Sequence, residues 1–236
     1  SAFYYCTGLH SITIPDSVTE IGDDAFNQCG LREMTLPAGL TRIGENLFWS
    51  NFNLTRVTIP EGVVSIGSYA FTNCDRLSDL RLPGGLETVG EYAFSGCCSL
   101  EGVVLPAGMK TVGPYAFSDC QALEEVVISG GDTAIDAAAF SGCAVLTVLY
   151  YGGSDEQWTR WLAINSQDDW HPLADAQVIT GFAVGNLNGQ GEEPDAADVQ
   201  CLYEYLATGE MTGRYKGRRQ CEWGRRRGCV RSAAAV

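Results

Sequence analysis

Asn186, Asn188 and Gln190 place oxygen-bearing side chains at alternate positions, and Gly191 takes the sixth. That is the spacing of a calcium-binding loop, in which ligands at positions 1, 3 and 5 wrap the ion and a glycine allows the sharp turn. Glu192 and Asp198 are the carboxylates near enough to complete the set. The loop departs from the ideal in two ways. Its first three ligands are neutral amides, and position 12 falls on Ala197, with Asp198 one residue beyond. Calcium affinity rises with ligand charge, so the expected site is weak. The alternative is a metal-free Asn/Gly turn. A helix follows, with Val199, Leu202, Tyr203 and Leu206 on its apolar side.

Cysteine is the second reactive residue type. Six of the ten cysteines (Cys6, Cys29, Cys74, Cys97, Cys120 and Cys143) recur at one position of a repeated pattern, and Asn51 takes that position once. A column of small buried thiols is the expected arrangement, because free cysteine packs like a hydrophobe. Disulfides between adjacent cysteines and a zinc site are the alternatives, the latter without a Cys-x-x-Cys pair or a nearby histidine. Nucleophilic catalysis has little to draw on. The two histidines, His10 and His171, are isolated, and His171 reads as a loop residue. The carboxylates are scattered, so no glycosidase pair stands out. The expectation is a protein that is not an enzyme.

The element behind these positions is a repeat of about 23 residues. Its phenylalanines are Phe3, Phe26, Phe48, Phe71, Phe94, Phe117 and Phe140. A unit this small cannot bury its own apolar face and must stack on its neighbours, which predicts a solenoid. Leu54-Thr-Arg-Val57-Thr-Ile59-Pro60 alternates like a strand with one buried face, and Pro60 ends it. Glu61-Gly62 turns the chain, Val63 and Ile66 return to the core, and Gly67 permits a bend. Ala70-Phe71-x-x-Cys74 puts two apolar residues three apart, which predicts a short helical turn. The fold class is therefore an α/β repeat solenoid of short strands and short helical turns.

Stacking makes each position a stripe. Tyr69, Tyr92 and Tyr115 form an aromatic stripe suited to sugar faces or to solvent-edge packing. The outward strand column, Thr13, Thr35, Thr58, Arg81, Val104, Val127 and Tyr150, changes from hydroxyl to apolar. Its apolar end is either a protein contact or β-branched filler. The pattern fails after Tyr150-Tyr151-Gly152-Gly153. Ser154–Ala163 then reads as a capping helix, with Ser154 at its N-cap and Trp158, Trp161 and Leu162 facing inward. Ala174–Thr180 is expected to add a last edge strand.

The net charge of −14 is unevenly spread. Eight of the 15 basic residues lie from Arg214 onward, leaving seven against 28 acidic residues before it. An acidic body repels phosphate, which argues against nucleic acid as a partner. No apolar run approaches the roughly 18 residues of a membrane helix. The sequence opens inside a repeat, at Ala2-Phe3-x-x-Cys6, which implies a preceding part of the protein.

Leu-x-x-Val-x-Ile-Pro with Ile-Gly-x-x-Ala-Phe-x-x-Cys resembles the BspA-like class of leucine-rich repeat, over residues 1–180 with the cap at 150–180. The resemblance implies a bacterial surface or secreted protein that binds a surface protein or glycan. Residues 181–212 resemble the first loop–helix of a dockerin, a small helical EF-hand-like half-module that docks on cohesin domains in cellulosome-type assemblies. The dockerin resemblance assigns partner contacts to Ala196, Ala197, Tyr203 and Glu204. A second loop–helix is due where 213–236 instead gives an arginine-rich tail. Codons for Glu222–Val236, read one base later, can spell that second loop and helix, so the tail is expected to be out of frame and cohesin binding weak. A free adhesin with a decayed dockerin, and a non-catalytic fragment of a larger dockerin-bearing carbohydrate-active enzyme, are the alternatives.

Overall fold

The computed structural model describes residues 1–165 and 176–180. Each coil of about 23 residues has three sides. On the first side, β1 (Glu33–Thr35), β3 (Arg56–Thr58) and β5 (Asp79–Leu80) form one parallel sheet. On the same side, β7 (Gly102–Leu105), β9 (Glu125–Ile128), β11 (Val148–Tyr151) and β12 (Gln177–Ile179) form a second. The second side is a five-stranded parallel sheet of two-residue strands: β2 (Arg42–Ile43), β4 (Ser65–Ile66), β6 (Thr88–Val89), β8 (Thr111–Val112) and β10 (Ala134–Ile135). Register is strict. Met34 pairs with Val57 and Val57 with Leu80, while Ile43 pairs with Ile66 and Ile66 with Val89. Equivalent residues of the repeat therefore lie over one another, as stacking requires.

The third side was expected to be a short helical turn, and it is not. Residues 68–73 form successive turns with two residues in left-handed conformation, Tyr69 (φ 59°) and Asn73 (φ 57°). The same two places are left-handed at Asp24 and Gln28, Asn46 and Ser50, and Tyr115 and Asp119. Left-handed residues break a helix after one turn and aim alternate N–H groups out of the coil. Those groups bond the next coil: Tyr69 N–H donates to Glu91 O (2.9 Å), Phe71 to Ala93 O (2.7 Å) and Asn73 to Ser95 O (2.8 Å). The intervening residues close locally, as in Cys74 N–H to Phe71 O at 3.2 Å. The spacing of Phe71 and Cys74 fits a helical turn equally well, which is why the pattern misled.

The core is columnar. The seven phenylalanine rings stack at 5.0–5.7 Å, tilted by no more than 17°. Coil spacing sets this near-parallel stacking, and burial of the rings stabilises it. Gly44, Gly67, Gly90 and Gly113 serve the same close approach rather than a special bend. A Cβ on Gly90 would stand 2.6 Å from Ser68 N, and one on Gly67 2.9 Å from Gly44 C.

The C-terminal cap follows the sequence closely. Helix α1 spans Asp155–Asn165. The Gln157 N–H donates to Ser154 Oγ, and the Ser154 N–H donates to Gln157 Oε1 at 2.8 Å. This reciprocal pair is a capping box. Trp158 is buried, stacks on Trp161 at 4.9 Å and meets Tyr151 at 5.2 Å. Trp161 Nε1–H donates to Ile135 O at 3.1 Å, which fastens the helix to the end of the second sheet. The expected edge strand is β12, parallel to β11. His171, the metal-loop residues Asn186, Asn188, Gln190, Glu192 and Asp198, and the docking residues Ala196, Ala197, Tyr203 and Glu204 lie outside the described residues.

Candidate functional site

The thiol column has a hydrogen-bonding rule that residue type alone concealed. Each side chain donates to the carbonyl of the phenylalanine one coil back: Cys29 to Phe3, Cys74 to Phe48, Cys97 to Phe71, Cys120 to Phe94 and Cys143 to Phe117, at 3.0–3.4 Å. Asn51 does the same with its amide, donating to Phe26 O at 2.8 Å. The position asks for a small donor, which is why asparagine replaces cysteine there. All seven described cysteines are free thiols. Burial holds the Cys74 and Cys97 thiols well above their ordinary value. A buried protonated thiol is a poor nucleophile, so Cys74 and Cys97 are structural.

The outward strand column divides. Thr13, Thr35, Thr58 and Arg81 are exposed, and Arg81 stands 3.6 Å from Asp79 across an ion pair. Val104, Val127 and Tyr150 read from the sequence as either an exposed protein contact or β-branched filler, and only the first needs them to meet solvent. They do not: Val104 and Val127 are wholly buried and Tyr150 is 6% exposed, although none belongs to the core cluster inside the coils. The outer face of that sheet is withdrawn from solvent, so these three residues are not a free ligand surface.

The tyrosine stripe is real and lies on the turn side. Tyr69 and Tyr92 stack at 5.1 Å and Tyr92 and Tyr115 at 4.8 Å, with planes within 11°. Tyr69 and Tyr115, at the two ends, are exposed. Desolvation, followed by the neighbouring Tyr115, Tyr69 and Glu91, pushes the Tyr92 phenol above its ordinary value. All three tyrosines are left-handed, at φ 54–59°. Asp24 and Asn46 take the same place earlier in the chain, and both residue types tolerate that conformation. A bulky aromatic there costs of order 1 kcal/mol or more.

Beside the stripe lies an open groove of about 780 Å³. Tyr69, Trp49 and Tyr4 supply its aromatic surface, and Asp24, Asn46, Glu45 and Glu91 its polar edge. Asn27 also lines it, 3% exposed, with Nδ2 donating to Asp24 Oδ1 at 2.8 Å and Oδ1 left without a donor. Sequence reasoning found the tyrosines but missed Trp49 and Asn27. Both follow a phenylalanine directly (Phe48-Trp49, Phe26-Asn27), and that shared position was the signal available. Among the described residues no group of three metal-ligating side chains converges.

A family model described as BspA type leucine-rich repeat region, in six copies, matches residues 1–120 and 41–160. Together the two matches span 160 of 236 residues. The chain belongs to the BspA-type leucine-rich-repeat family. Among solved structures, a leucine-rich repeat protein of T. pallidum shares 33% identity at a TM-score of 0.51, over 56% of this chain and 62% of that one. The pneumococcal vaccine antigen PcpA shares 19% identity at a TM-score of 0.50, over 65% of this chain and 42% of that one. The second likeness is one of fold. This BspA-type chain thus spans less than two thirds of either protein. No curated protein matches it.

Proposed function

We propose that this BspA-type chain is a non-enzymatic recognition module of the bacterial cell surface or its surroundings, binding a glycan or surface protein through the turn side of its solenoid. The tyrosine column carries this reading. Aromatic residues stand partly exposed in a backbone conformation that asparagine and aspartate fill without strain one and two coils before the first of them. Strain held at a surface is a mark of use. Screening the whole chain against immobilised glycans and bacterial and host surface proteins tests the reading. Saturable binding supports it, and turnover of a glycan by this chain would overturn it.

The segment at 185–206 is, in the same reading, a dockerin-like tether for a cohesin, with Asn186, Asn188, Gln190, Glu192 and Asp198 around calcium. The spacing of the loop supports it. Because three of the five side chains are neutral, calcium binding belongs toward the weak end, about 10⁻⁴–10⁻³ M. Calorimetry with calcium alone should give a dissociation constant in that range, and a cohesin pull-down should give weak or no capture. The neutral ligands and the missing second loop favour, as a second reading, an adhesin whose dockerin has decayed.

A further inference from the structure

We propose that the groove between Tyr69 and Trp49 is a saccharide-binding site whose ligand is a neutral oligosaccharide, with a pyranose ring lying on the open face of Tyr69. This rests on the recognition role proposed above and gives it a place and a ligand class. In a stack of parallel rings about 5 Å apart the inner faces are already occupied. Only the end rings have a free face. Tyr69 is an end ring, because the coil before it carries Asn46 in place of an aromatic. The groove opens on that side, with Trp49 and Tyr4 as its further aromatic walls.

The polar lining narrows the ligand. Asp24, Glu45 and Glu91 are acceptors, and among the described residues no lysine or arginine lines the groove. Phosphate, sulfate, uronate and sialate would be repelled by these carboxylates with no cation to offset them. A cationic side chain would satisfy the carboxylates but would offer no acceptor to the amide N–H groups of Asn46 and Asn73, since an ammonium only donates. Sugar hydroxyls both donate and accept, and their C–H faces match an aromatic ring. The Asn27 Oδ1, buried without a donor, is the sort of orphan a hydroxyl relieves. The volume falls within the range of small-molecule clefts, about 300–1,000 Å³.

The test applies the full chain to an array of neutral gluco-, xylo-, manno- and galacto-oligosaccharides, beside sialylated glycans and oligolysine, followed by calorimetry on the neutral hits. Tyr69→Asn removes the ring and installs the residue that the equivalent position already uses. Trp49→Ser copies Ser95 and Ser118, Tyr69→Phe keeps the ring, and Tyr115→Asn alters the far end of the stack. Circular dichroism and urea midpoints confirm that each variant is folded, and Tyr69→Phe and Trp49→Ser serve if Tyr69→Asn is not. A neutral oligosaccharide should bind, with affinity reduced about tenfold or more by Tyr69→Asn and Trp49→Ser. Tyr69→Phe and Tyr115→Asn should leave it within about threefold. Neutral binding indifferent to both Tyr69→Asn and Trp49→Ser would overturn the site and leave the recognition role standing. Binding of oligolysine or sialylated glycans alone would overturn the ligand class. No binding at all would overturn the saccharide assignment, and the surface-protein screen would then decide the broader role.

Discussion

The cysteine position shows what a single side chain does in this fold. Asn51 and the five buried cysteines donate to equivalent carbonyls, so the slot selects for a hydrogen rather than for sulfur. Asn51→Ala should lower stability by about 1–3 kcal/mol, because the buried Phe26 carbonyl loses its side-chain donor. Asn51→Cys should lower it less, since the thiol is the donor used in the other coils. Urea unfolding of the two variants measures the difference. The buried thiols also predict a pH response. In the unfolded chain a thiol ionises near 9.0, while burial holds Cys74 and Cys97 well above that value when folded. Below pH 9 both states are protonated and the contribution is fully present. As pH rises above 9 the unfolded state gains by ionising, and stability falls. Urea midpoints at pH 8 and pH 10 should show the drop, reduced in a Cys74→Ser, Cys97→Ser double variant. At pH 8 a thiol reagent should spare these two cysteines in the native protein.

At the scale of the element, glycine in the Ile-Gly pair sets coil spacing. Gly90→Ala should destabilise by about 1–3 kcal/mol, because its Cβ meets the backbone of Ser68 with no flexible side chain to yield. Ser154→Ala should cost about 1 kcal/mol by removing half of a reciprocal cap. Thermal melts of both variants are the check. The strand sides and the cap were legible because period-2 alternation and a serine N-cap ahead of apolar residues at helical spacing are local signals. The turn side was not, because Phe71 and Cys74 stand three apart whether the intervening backbone is helical or alternates in handedness. The better clue was the recurrence of Asp24 and Asn46 two residues before the phenylalanine, and of Asn73 and Asp119 two after it. The burial of Val104 and Val127 was illegible for another reason. A strand pattern tells which face a residue takes, not whether that face meets water. In the groove, the tyrosines announced themselves by repetition, whereas Trp49 and Asn27 each occur once.

For the whole solenoid, each coil contacts its neighbours, so stability should scale with the number of interfaces. Deleting residues 77–99, one complete coil, brings Leu100 to the place of Leu77 and should leave a folded protein. Its circular dichroism should be unchanged in shape, and its denaturant slope should be smaller in proportion to the surface removed. Loss of cooperative unfolding would count against independent coils. The turn side also gives the stack a polarity. From Phe3 to Asp119, every backbone hydrogen bond that crosses between coils there runs from an N–H to a carbonyl later in the chain. Peptide dipoles on this side therefore add along the stacking direction, as they do in a helix. The two ends are consequently not interchangeable: one finishes in acceptors and the other in donors. A coil can be added after residue 142 only by a chain that offers carbonyl oxygens in that register, so growth, capping and head-to-tail association of such units all have a built-in sense of direction.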